Sequence, residues 1–434
     1  MSEEYQSPVT LAELARMLMK LDDLLITCMR CGFCQSVCPV YGETFREADV
    51  TRGKIALLED LAHELTLDAD NVNDRLNRCL LCGSCESNCP SGVKIMDIFI
   101  RARAIVAGYR GLGAIKKLIF RTVLPRPRLF NFMIGVSSAF QWPFLRRASE
   151  KIGTSRAPIL NPVLGHRHIP SLPSKTFSAA HGQIAEPGTN GQVALFPGCV
   201  PDKIFTQMSE ASLKILKHHK VGVFMPDNLV CCGIPSLASG DIKSFIKLTS
   251  QNLAALAAKP FDYLVTPCAT CGSNIKENWY RFIDRFSPAE RTLIEQLHTK
   301  TLDITAYLVR VLKVDFKPVT NGTLAVTYHD PCHLKKGLGI SAEPRAILKS
   351  LPGYKFVEMP EADRCCGNGG SFNLFHYDLS KSIGQVKRDN IVSVKPKIVA
   401  TTCPACTLQL MDLLSQNKDE IEVKHVAELY AETL

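Results

Sequence analysis

Two cysteine runs near the start of the chain have a spacing that suits iron-sulfur chemistry. Each reads C-x2-C-x2-C-x3-C-P, and together they comprise Cys28, Cys31, Cys34, Cys38, Cys79, Cys82, Cys85 and Cys89. In this spacing three thiolates surround one 4Fe-4S cluster, and the cysteine before the proline reaches the other cluster. We therefore assign one cluster to Cys28, Cys31, Cys34 and Cys89. The second cluster is assigned to Cys79, Cys82, Cys85 and Cys38.

Disulfides and zinc are the alternative explanations for these runs. No secretory signal precedes the first cysteine, so an oxidising compartment is not indicated. Zinc sites normally take their ligands in pairs rather than in runs of four.

Helical periodicity predicts helices over 9–26, 49–65, 70–78 and 94–109. The pattern predicts an all-α domain with two 4Fe-4S clusters, of the helical ferredoxin type, over residues 1–110.

The other ten cysteines form two copies of one pattern: a single cysteine after an apolar strand, then Cys-Cys-Gly, then C-x2-C. The first copy contains Cys199, Cys231, Cys232, Cys268 and Cys271. The second contains Cys332, Cys365, Cys366, Cys403 and Cys406, at offsets of 133 to 135 residues. Five thiols exceed the four ligands of a cubane cluster. We expect one or two further iron-sulfur clusters here, and their type, cubane or non-cubane, stays open.

In each copy, short apolar strands alternate with helices. The predicted strands are 193–196, 221–224 and 261–266 in the first copy, and 324–328, 354–357 and 397–401 in the second. Helices are predicted over 204–218, 241–259 and 378–391. This alternation predicts a parallel α/β sheet in each copy, over residues 191–315 and 316–434. Every cysteine follows a strand, at the sheet edge where ligands bind and helix N-termini supply N–H groups.

Composition and charge narrow the possible partners. The chain has 434 residues, 46% of them hydrophobic and 21% charged, as in an ordered protein of several domains. No apolar run reaches the ~20 residues that span a bilayer. Between Arg101 and His168 there are thirteen basic residues and one acidic residue, Glu150, although the whole chain carries only +9.

Aromatic residues interleave with these charges: Phe120, Phe130, Phe132, Phe140, Trp142 and Phe144. Such a segment suits contact with a membrane surface or with a membrane-bound subunit. It suits equally a linker whose rings pack under the first domain, and nucleic acid fits it least. Residues 111–190 are assigned as a basic helical spacer, ending in a Pro-, Ser- and Gly-rich linker over 170–191.

Several polar side chains lie close to the cysteines in the sequence. His329 and His333 flank Cys332 and could tune a cluster, donate a proton or hydrogen-bond locally; we expect the last. Asp330 is expected to cap a turn, and His425 to be structural. No G-x-G-x-x-G or phosphate-binding loop is present, so any flavin must be on another polypeptide. No catalytic residue is assigned.

The pattern C-x31-C-C-G-x34-C-x2-C, with C-x32-C-C-G-x35-C-x2-C in the second copy, resembles the cysteine-rich CCG domain family. That family includes heterodisulfide reductase catalytic subunits and the iron-sulfur subunits of glycolate and lactate oxidases and of anaerobic glycerol-3-phosphate dehydrogenase. Residues 328–334, 338–340 and 365–372 look most like the lactate and glycolate subunits. The complete C-x2-C pairs, in contrast, look like the catalytic subunit of heterodisulfide reductase.

The resemblance implies an electron-transfer subunit of a flavin-dependent 2-hydroxy acid (lactate or glycolate) dehydrogenase complex. Its partner would be an FAD-containing dehydrogenase subunit, and its electrons would pass toward a membrane quinone or another carrier. The alternative that it implies is a heterodisulfide reductase-like catalytic subunit, acting on a thiol or disulfide at non-cubane clusters. Both alternatives imply a cytoplasmic protein. If residues 101–168 contact a membrane surface or a quinone-reactive membrane subunit, the protein lies peripherally on the inner face of the membrane.

Overall fold

A computed structural model describes residues 10–141, 145–147, 152–155 and 166–434. The described residues form two compact units. The first unit comprises the residues up to Thr122 together with two later segments, Gly233–Phe245 and Gly367–Ile383. The second unit comprises the remainder, and it contains both copies of the cysteine pattern from Cys199 onward.

Helices are numbered in chain order through the described residues. They are α1 (Leu11–Met19), α2 (Asp22–Leu25), α3 (Phe33–Val37), α4 (Pro39–Thr44), α5 (Thr51–Ala62), α6 (Ala69–Asn77), α7 (Ser84–Ser87), α8 (Ile95–Arg110), α9 (Ala114–Leu118), α10 (Pro127–Ala139), α11 (Phe177–His181), α12 (Cys199–Lys203), α13 (Thr206–His218), α14 (Ile234–Ala238), α15 (Ile242–Leu256), α16 (Ala269–Ser273), α17 (Trp279–Arg281), α18 (Pro288–Lys300), α19 (Ile304–Ala306), α20 (Ala342–Ser350), α21 (Ser371–Phe375), α22 (Tyr377–Ser393), α23 (Pro404–Gln416) and α24 (Val426–Ala431). Short π-helical turns span Ile119–Val123, Asn274–Asn278, Tyr307–Val311 and His333–Gly337, and 3-10 turns span Glu47–Asp49 and Ile283–Arg285.

Strands are numbered in the same way. They are β1 (Leu145–Arg147), β2 (Ile152–Ser155), β3 (His168–Pro170), β4 (Ile184–Glu186), β5 (Gln192–Leu195), β6 (Gly222–Met225), β7 (Tyr263–Thr266), β8 (Thr301–Asp303), β9 (Leu324–Tyr328), β10 (Tyr354–Phe356), β11 (Ile398–Thr401) and β12 (Glu422–His425).

The first unit is helical, as the spacing predicts. A capping box between Thr10 and Glu13 starts α1, which packs on α5 and α8. Their facing apolar side chains, among them Leu14, Leu58 and Ile98, are fully buried. The predicted helix over 9–26 is interrupted, because α1 ends at Met19 and α2 begins at Asp22.

The two later segments of the first unit pack against helix α8 and the second cysteine run. The Arg103 guanidinium of α8 donates to the carbonyl oxygen of Ala238 at 2.9 Å. Gly369 approaches Leu80 so closely that a Cβ atom placed on it would lie 2.5 Å from the Leu80 Cδ2 atom. Each segment begins immediately after a Cys-Cys pair of the repeats.

The sheets of the two repeats share one strand order, apart from an additional edge strand, β4, in the first. The first sheet has the order β4-β6-β5-β7-β8 and the second β10-β9-β11-β12. All neighbours are parallel except β4, which runs antiparallel to β6 at the edge. The parallel α/β architecture predicted for each copy is confirmed, and β4 lies in a stretch that the composition had suggested to be a linker.

One hydrophobic core joins the two sheets. It contains side chains from both repeats, including Val193, Leu195, Val326 and Tyr328, none of them exposed to solvent. Helix α13 of the first repeat packs on α24 of the second. The Lys214 ammonium group donates to the Ala431 carbonyl oxygen at 2.8 Å across that contact. Because the repeats bury their apolar faces against each other, they form one folding unit.

The basic segment is mostly helical as far as Ala139, the end of α10, and its later residues form the short antiparallel sheet β1-β2-β3, which the sequence pattern did not predict. Trp142, Phe144, Glu150, Lys151 and Arg156 lie outside the described residues. In the part of the chain that the structure describes, no helix combines the length and hydropathy needed to cross a membrane.

Candidate iron-sulfur centres

The first unit groups its cysteines across the two runs. One cavity is lined by Cys28, Cys31, Cys34 and Cys89, and also by Cys85. A second cavity is lined by Cys38, Cys79, Cys82 and Cys85. In each cavity, three cysteines of one run meet the last cysteine of the other run. This is the grouping expected from the spacing, and the ligand assignment itself stays a proposal.

The two cysteine runs have the same backbone conformation around their second cysteine. The residue before the second cysteine has a positive φ, 53° at Arg30 and 52° at Leu81. A glycine follows that cysteine with φ of 88° at Gly32 and 71° at Gly83. A non-glycine residue with positive φ costs about 1–2 kcal/mol. Such strain is characteristic of ligand-binding loops, and here it repeats at equivalent positions of the two runs.

Without a metal these thiols are in an unfavourable environment for charge. Burial raises the pKa of Cys38 to about 11, and burial with the neighbouring Cys79 and Cys82 raises the pKa of Cys85 well above its usual value. A bound cation reverses this preference because it stabilises the thiolates. The four-sulfur donor sets therefore fit 4Fe-4S clusters.

The five cysteines of the first repeat form one connected group of sulfur atoms. Hydrogen bonding to Cys199 and Cys232, together with burial, raises the pKa of the Cys231 thiol well above its usual value. Contacts with Cys232 and Cys268 do the same for the pKa of Cys271. Gly198 also faces this group, because a Cβ atom on it would lie 2.7 Å from the Cys271 Sγ atom.

The second repeat places a histidine among its cysteines. Hydrogen bonding to Cys366 and Cys403, with burial, raises the pKa of Cys406 well above its usual value. Hydrogen bonding from Cys406 lowers the pKa of Cys403 to about 6. A ring nitrogen of His329 and the Sγ atoms of Cys366 and Cys406 all lie within 4.8 Å of one another. Cys365 precedes Cys366 directly, and Cys332 follows His329 by three residues.

The two cysteine groups of the second unit meet at Thr270. Its hydroxyl, between Cys268 and Cys271 in the chain, lies 3.4 Å from the Cys403 Sγ atom and 3.1 Å from the His333 Nδ1 atom. The Ala269 N–H donates to the Thr402 carbonyl oxygen at 3.2 Å. The C-x2-C ends of the repeats therefore pack directly against each other.

The expected roles of the individual polar residues are met in part. His425 is structural: its Nε2 atom lies 2.9 Å from the Pro267 carbonyl oxygen, and its Nδ1 atom accepts from the Ala427 N–H. The buried Asp330 carboxylate accepts from the Arg345 guanidinium at 2.9 and 2.7 Å, an ion pair that the sequence did not predict. His329, expected to hydrogen-bond locally, has neither ring nitrogen paired among the described residues.

Buried lysines beside the cysteines were missed by sequence reasoning. Lys387 of α22 donates to the Ala362 carbonyl oxygen at 3.2 Å, and burial lowers its pKa to about 8, against the opposing effect of nearby Cys366 and Cys365. Lys54 of α5 lines the same cavity as Cys38 and is also buried. Positive charge at these positions offsets the negative charge that thiolate ligands bring. The burial of Lys387 could have been predicted, because helical spacing places it on the same face as Ile383 and Ile391, which are buried.

Comparison with known proteins agrees with this geometry. A model described as "4Fe-4S dicluster domain" matches residues 25–93, and one described as "Cysteine-rich domain" matches 193–276 and 326–411. A probable glycolate oxidase iron-sulfur subunit of Bacillus subtilis is 29% identical over 94% of both chains. A subunit of the dihydromethanophenazine:CoB–CoM heterodisulfide reductase of Methanosarcina acetivorans is 24% identical over 96% of this chain and 95% of its own. Lactate utilization protein A of Geobacillus thermodenitrificans is 30% identical over 55% of this chain and 98% of its own.

A helical dicluster unit followed by paired cysteine-rich repeats defines an iron-sulfur subunit of an oxidoreductase. The chain belongs to the CCG-domain (cysteine-rich) iron-sulfur subunit family, which includes glycolate oxidase iron-sulfur subunits and the related subunits of heterodisulfide reductases.

Proposed function

We propose that this chain is the electron-transfer subunit of a flavin-dependent 2-hydroxy acid dehydrogenase complex acting on lactate or glycolate. The observation that carries the proposal is the contact at Thr270, which joins the cysteine groups of the two repeats within one unit. Glycolate and lactate relatives align with the chain in agreement with this role. Iron-sulfur clusters, when bound, supply sites that accept and release single electrons.

We assign the ligands as the sequence suggested. In the first unit these are Cys28, Cys31, Cys34 and Cys89 for one 4Fe-4S cluster, and Cys79, Cys82, Cys85 and Cys38 for the other. For the second unit the sequence left open one or two further clusters, and we propose one centre held by the five cysteines of each repeat. Eight of those ten cysteines are buried, which keeps water away from the sulfur atoms. Lys54 and Lys387 contribute nearby positive charge.

A surface around the first cysteine run fits the docking of another redox subunit. Cys31 is exposed, and the large apolar side chains of Ile26, Met29 and Phe33 beside it are exposed as well. Apolar side chains around an accessible ligand suit a protein contact that brings two redox centres close together. We assign this face to the FAD-carrying dehydrogenase subunit.

The basic segment supplies a further contact in this proposal. On α10 and at its end, the side chains of Phe132, Met133, Val136 and Phe140 are exposed on one face. With the basic residues of 101–168, this face suits the interface of a membrane that carries anionic lipid and the quinone acceptor. The protein should sediment with vesicles containing an anionic phospholipid and not with zwitterionic vesicles. Replacing Phe132 and Phe140 by Ser should abolish sedimentation; binding that persists would remove this contact from the proposal.

A heterodisulfide reductase-type activity is the second candidate. It is favoured by the complete set of five cysteines in each repeat and by the alignment with the Methanosarcina reductase chain over nearly the whole length. In that case a thiol or disulfide substrate would react in the second unit, and the first unit would only conduct electrons.

The two candidates predict different behaviour of the complex purified without oxygen. For the dehydrogenase, lactate or glycolate should bleach the visible iron-sulfur absorbance, and the co-purified subunits should release FAD on denaturation. Bleaching should stop in Cys34→Ser, which interrupts conduction in the first unit. For the disulfide enzyme, Cys406→Ser should abolish turnover of the disulfide substrate. Reoxidation of the reduced chain by a disulfide, without response to either hydroxy acid, would overturn the dehydrogenase proposal.

A further inference from the structure

The most unusual polar group of the second unit is the imidazole of His329. It is 1% exposed, and neither Nδ1 nor Nε2 makes a hydrogen bond among the described residues. An imidazole carries one N–H donor and one lone pair, and leaving both unpaired away from water costs about 1–3 kcal/mol for each group. A buried histidine with no partner therefore calls for a ligand that the polypeptide does not provide.

The surroundings of the ring indicate what that ligand is. A ring nitrogen of His329 lies within 4.8 Å of the Sγ atoms of both Cys366 and Cys406. These are two of the five cysteines that we assign to the centre of the second repeat. Two thiolates and an imidazole nitrogen are a donor set that binds iron well.

The backbone carbonyl beside the ring does not satisfy it. The Ala362 carbonyl oxygen lies near the imidazole but already accepts from the Asp330 N–H at 3.0 Å and from the Lys387 ammonium group at 3.2 Å. Among the described residues it makes no hydrogen bond with either ring nitrogen. Both nitrogens of His329 are therefore left for a ligand.

The first repeat offers an internal comparison. Phe196 precedes Cys199 by three residues, as His329 precedes Cys332. The backbone N–H of Phe196 donates to Val265 and that of His329 donates to Ala400, both at 2.9 Å, so the two residues leave equivalent strands in the same way. Phe196 is also buried, and its side chain has no donor atom. The two repeats thus present different chemistry at one structural position.

We propose that His329 is a nitrogen ligand of the iron-sulfur centre in the second repeat, whereas the centre in the first repeat has sulfur ligands alone. The inference rests on the proposed cluster ligation by the second cysteine set. Imidazole is neutral and thiolate is anionic, so nitrogen ligation raises the reduction potential of a cluster, as it does in Rieske centres. The second centre is then the better electron acceptor of the pair, and electrons move from the first repeat to the second.

Magnetic resonance tests the ligand directly. Protein labelled with ¹⁵N-histidine, purified without oxygen and partly reduced, should show a strong nitrogen hyperfine coupling in pulsed EPR of one centre. The coupling should be lost in His329→Phe, which copies the first repeat, and kept in His333→Ala, whose ring contacts Thr270. Absence of strong coupling in the wild type, or its persistence in His329→Phe, would overturn the proposal.

A second variant covers the case in which His329→Phe fails to load iron. His329→Cys replaces one ligand by another and should keep the wild-type iron content, lose the nitrogen coupling, and shift the midpoint potential of one centre downward in an EPR-monitored titration. An unchanged potential and an unchanged nitrogen coupling in this variant would contradict ligation. Cys366→Ser tests the underlying assignment: if its iron content and spectrum match wild type, the cysteine set itself is wrong. If only the His329 variants behave as wild type, the histidine inference alone fails.

Discussion

At the scale of single residues, the buried ion pair of Asp330 with Arg345 constrains the loop that carries His329 and Cys332. The Asp330 side chain is 0% exposed, and it also accepts from the Ser341 hydroxyl at 3.1 Å. Arg345 bridges in addition to Glu358 at 2.7 Å and lies over the Tyr328 ring. The guanidinium group therefore ties the end of β9 to helix α20.

Arg345→Ala should destabilise the second unit strongly, because it removes the bidentate partner of a buried carboxylate and leaves it only the Ser341 hydroxyl at 3.1 Å and the Lys335 ammonium group at 3.9 Å. Removal of one member of a buried pair costs about 3–5 kcal/mol. Lys317→Ala, which removes a fully solvated pair with Asp315, should cost no more than about 1 kcal/mol. Urea denaturation without oxygen, followed by circular dichroism, measures both. Equal midpoints for the two variants would show that the Asp330 carboxylate is not isolated from water.

The Asp303 carboxyl gives the stability a dependence on pH. Burial raises its pKa to about 7, against the hydrogen bonds from the Thr305 N–H and hydroxyl, and Glu343 adds to the rise. An aspartate in the unfolded chain titrates near pH 3.9. Since the folded state binds the proton more tightly, the stabilising contribution is complete below about pH 4 and is lost as pH rises through about 7.

Asp303→Asn should flatten this dependence, because the amide keeps an acceptor for Thr305 and cannot ionise. Between about pH 5.5 and pH 8, the unfolding temperature of the variant should rise relative to wild type. Asp315→Asn, at an exposed position, controls for the loss of a charge. A constant difference between Asp303→Asn and wild type at every pH would contradict the ionisation of Asp303 in the folded state.

The candidate ligands could be predicted from the sequence, because their spacing is a local pattern. The roles of residues that depend on contacts between distant parts of the chain could not. All eighteen cysteines belong to one of two repeated patterns, and the spacing in those patterns alone indicates metal chemistry. The proximity of His329 to Cys366 and Cys406 arises instead from folding, because the three residues come from distant parts of the chain. Lys387 was overlooked because an isolated lysine in a polar helix is ordinarily solvated.

At the scale of elements, the repeat made most of the second unit predictable. Strands β5 to β7 and β9 to β11 lie within a few residues of their predicted positions, since a recurring apolar strand before a cysteine is a strong local signal. Strand β4, which pairs with β6, was not predicted. It has only three residues and lies in a Pro- and Gly-rich stretch, so it shows no periodic pattern. The break between α1 and α2 was hidden because apolar residues continue at helical spacing through it.

Helix α8 illustrates how an element can be fixed by one buried side chain. Arg103 donates to the carbonyl oxygens of Leu76, Cys79 and Ala238, at 2.6 to 3.2 Å. Arg103→Met should free these carbonyls and loosen Gly233–Phe245. Each carbonyl oxygen left unsatisfied costs about 1–3 kcal/mol, so the equilibrium constant for local opening of this segment should increase about 10-fold or more.

Hydrogen exchange read by mass spectrometry measures this effect. Uptake should rise in residues 234–245 and stay unchanged in β5 and β7. Arg101→Met is the matched control, because Arg101 lies on the same helix and pairs with Asp97, one turn earlier, at 2.9 Å. Equal protection of residues 234–245 in both variants would show that Arg103 does not hold this segment.

At the scale of the whole molecule, the two units should respond differently to iron removal. The first unit carries its candidate ligands on short helices such as α3 and α7, which are too short to persist alone in water. The second unit has a continuous core of buried aliphatic and aromatic side chains. Metal ligation is therefore a larger share of the folding free energy in the first unit.

Removing iron with a chelator should expose residues 28–38 and 79–89 to rapid hydrogen exchange while β5, β7, β9 and β11 remain protected. Cys85→Ser should reproduce the loss within the first unit without chelator. Exchange that increases uniformly through both units would contradict the independent stability of the second core.

After each Cys-Cys pair the chain leaves the second unit and contributes a segment to the first unit. This limits where the gene for such a protein can be divided. A break near Thr122 would release an N-terminal product lacking Gly233–Phe245 and Gly367–Ile383. Arg103 would then lose the Ala238 carbonyl, and Leu80 would lose its contact with Gly369. The C-terminal product would retain both segments without the helices they pack on. If separate genes encoded the two halves, these two segments would therefore need compensating changes. Insertions in the surface loops between the two segments would need no such changes.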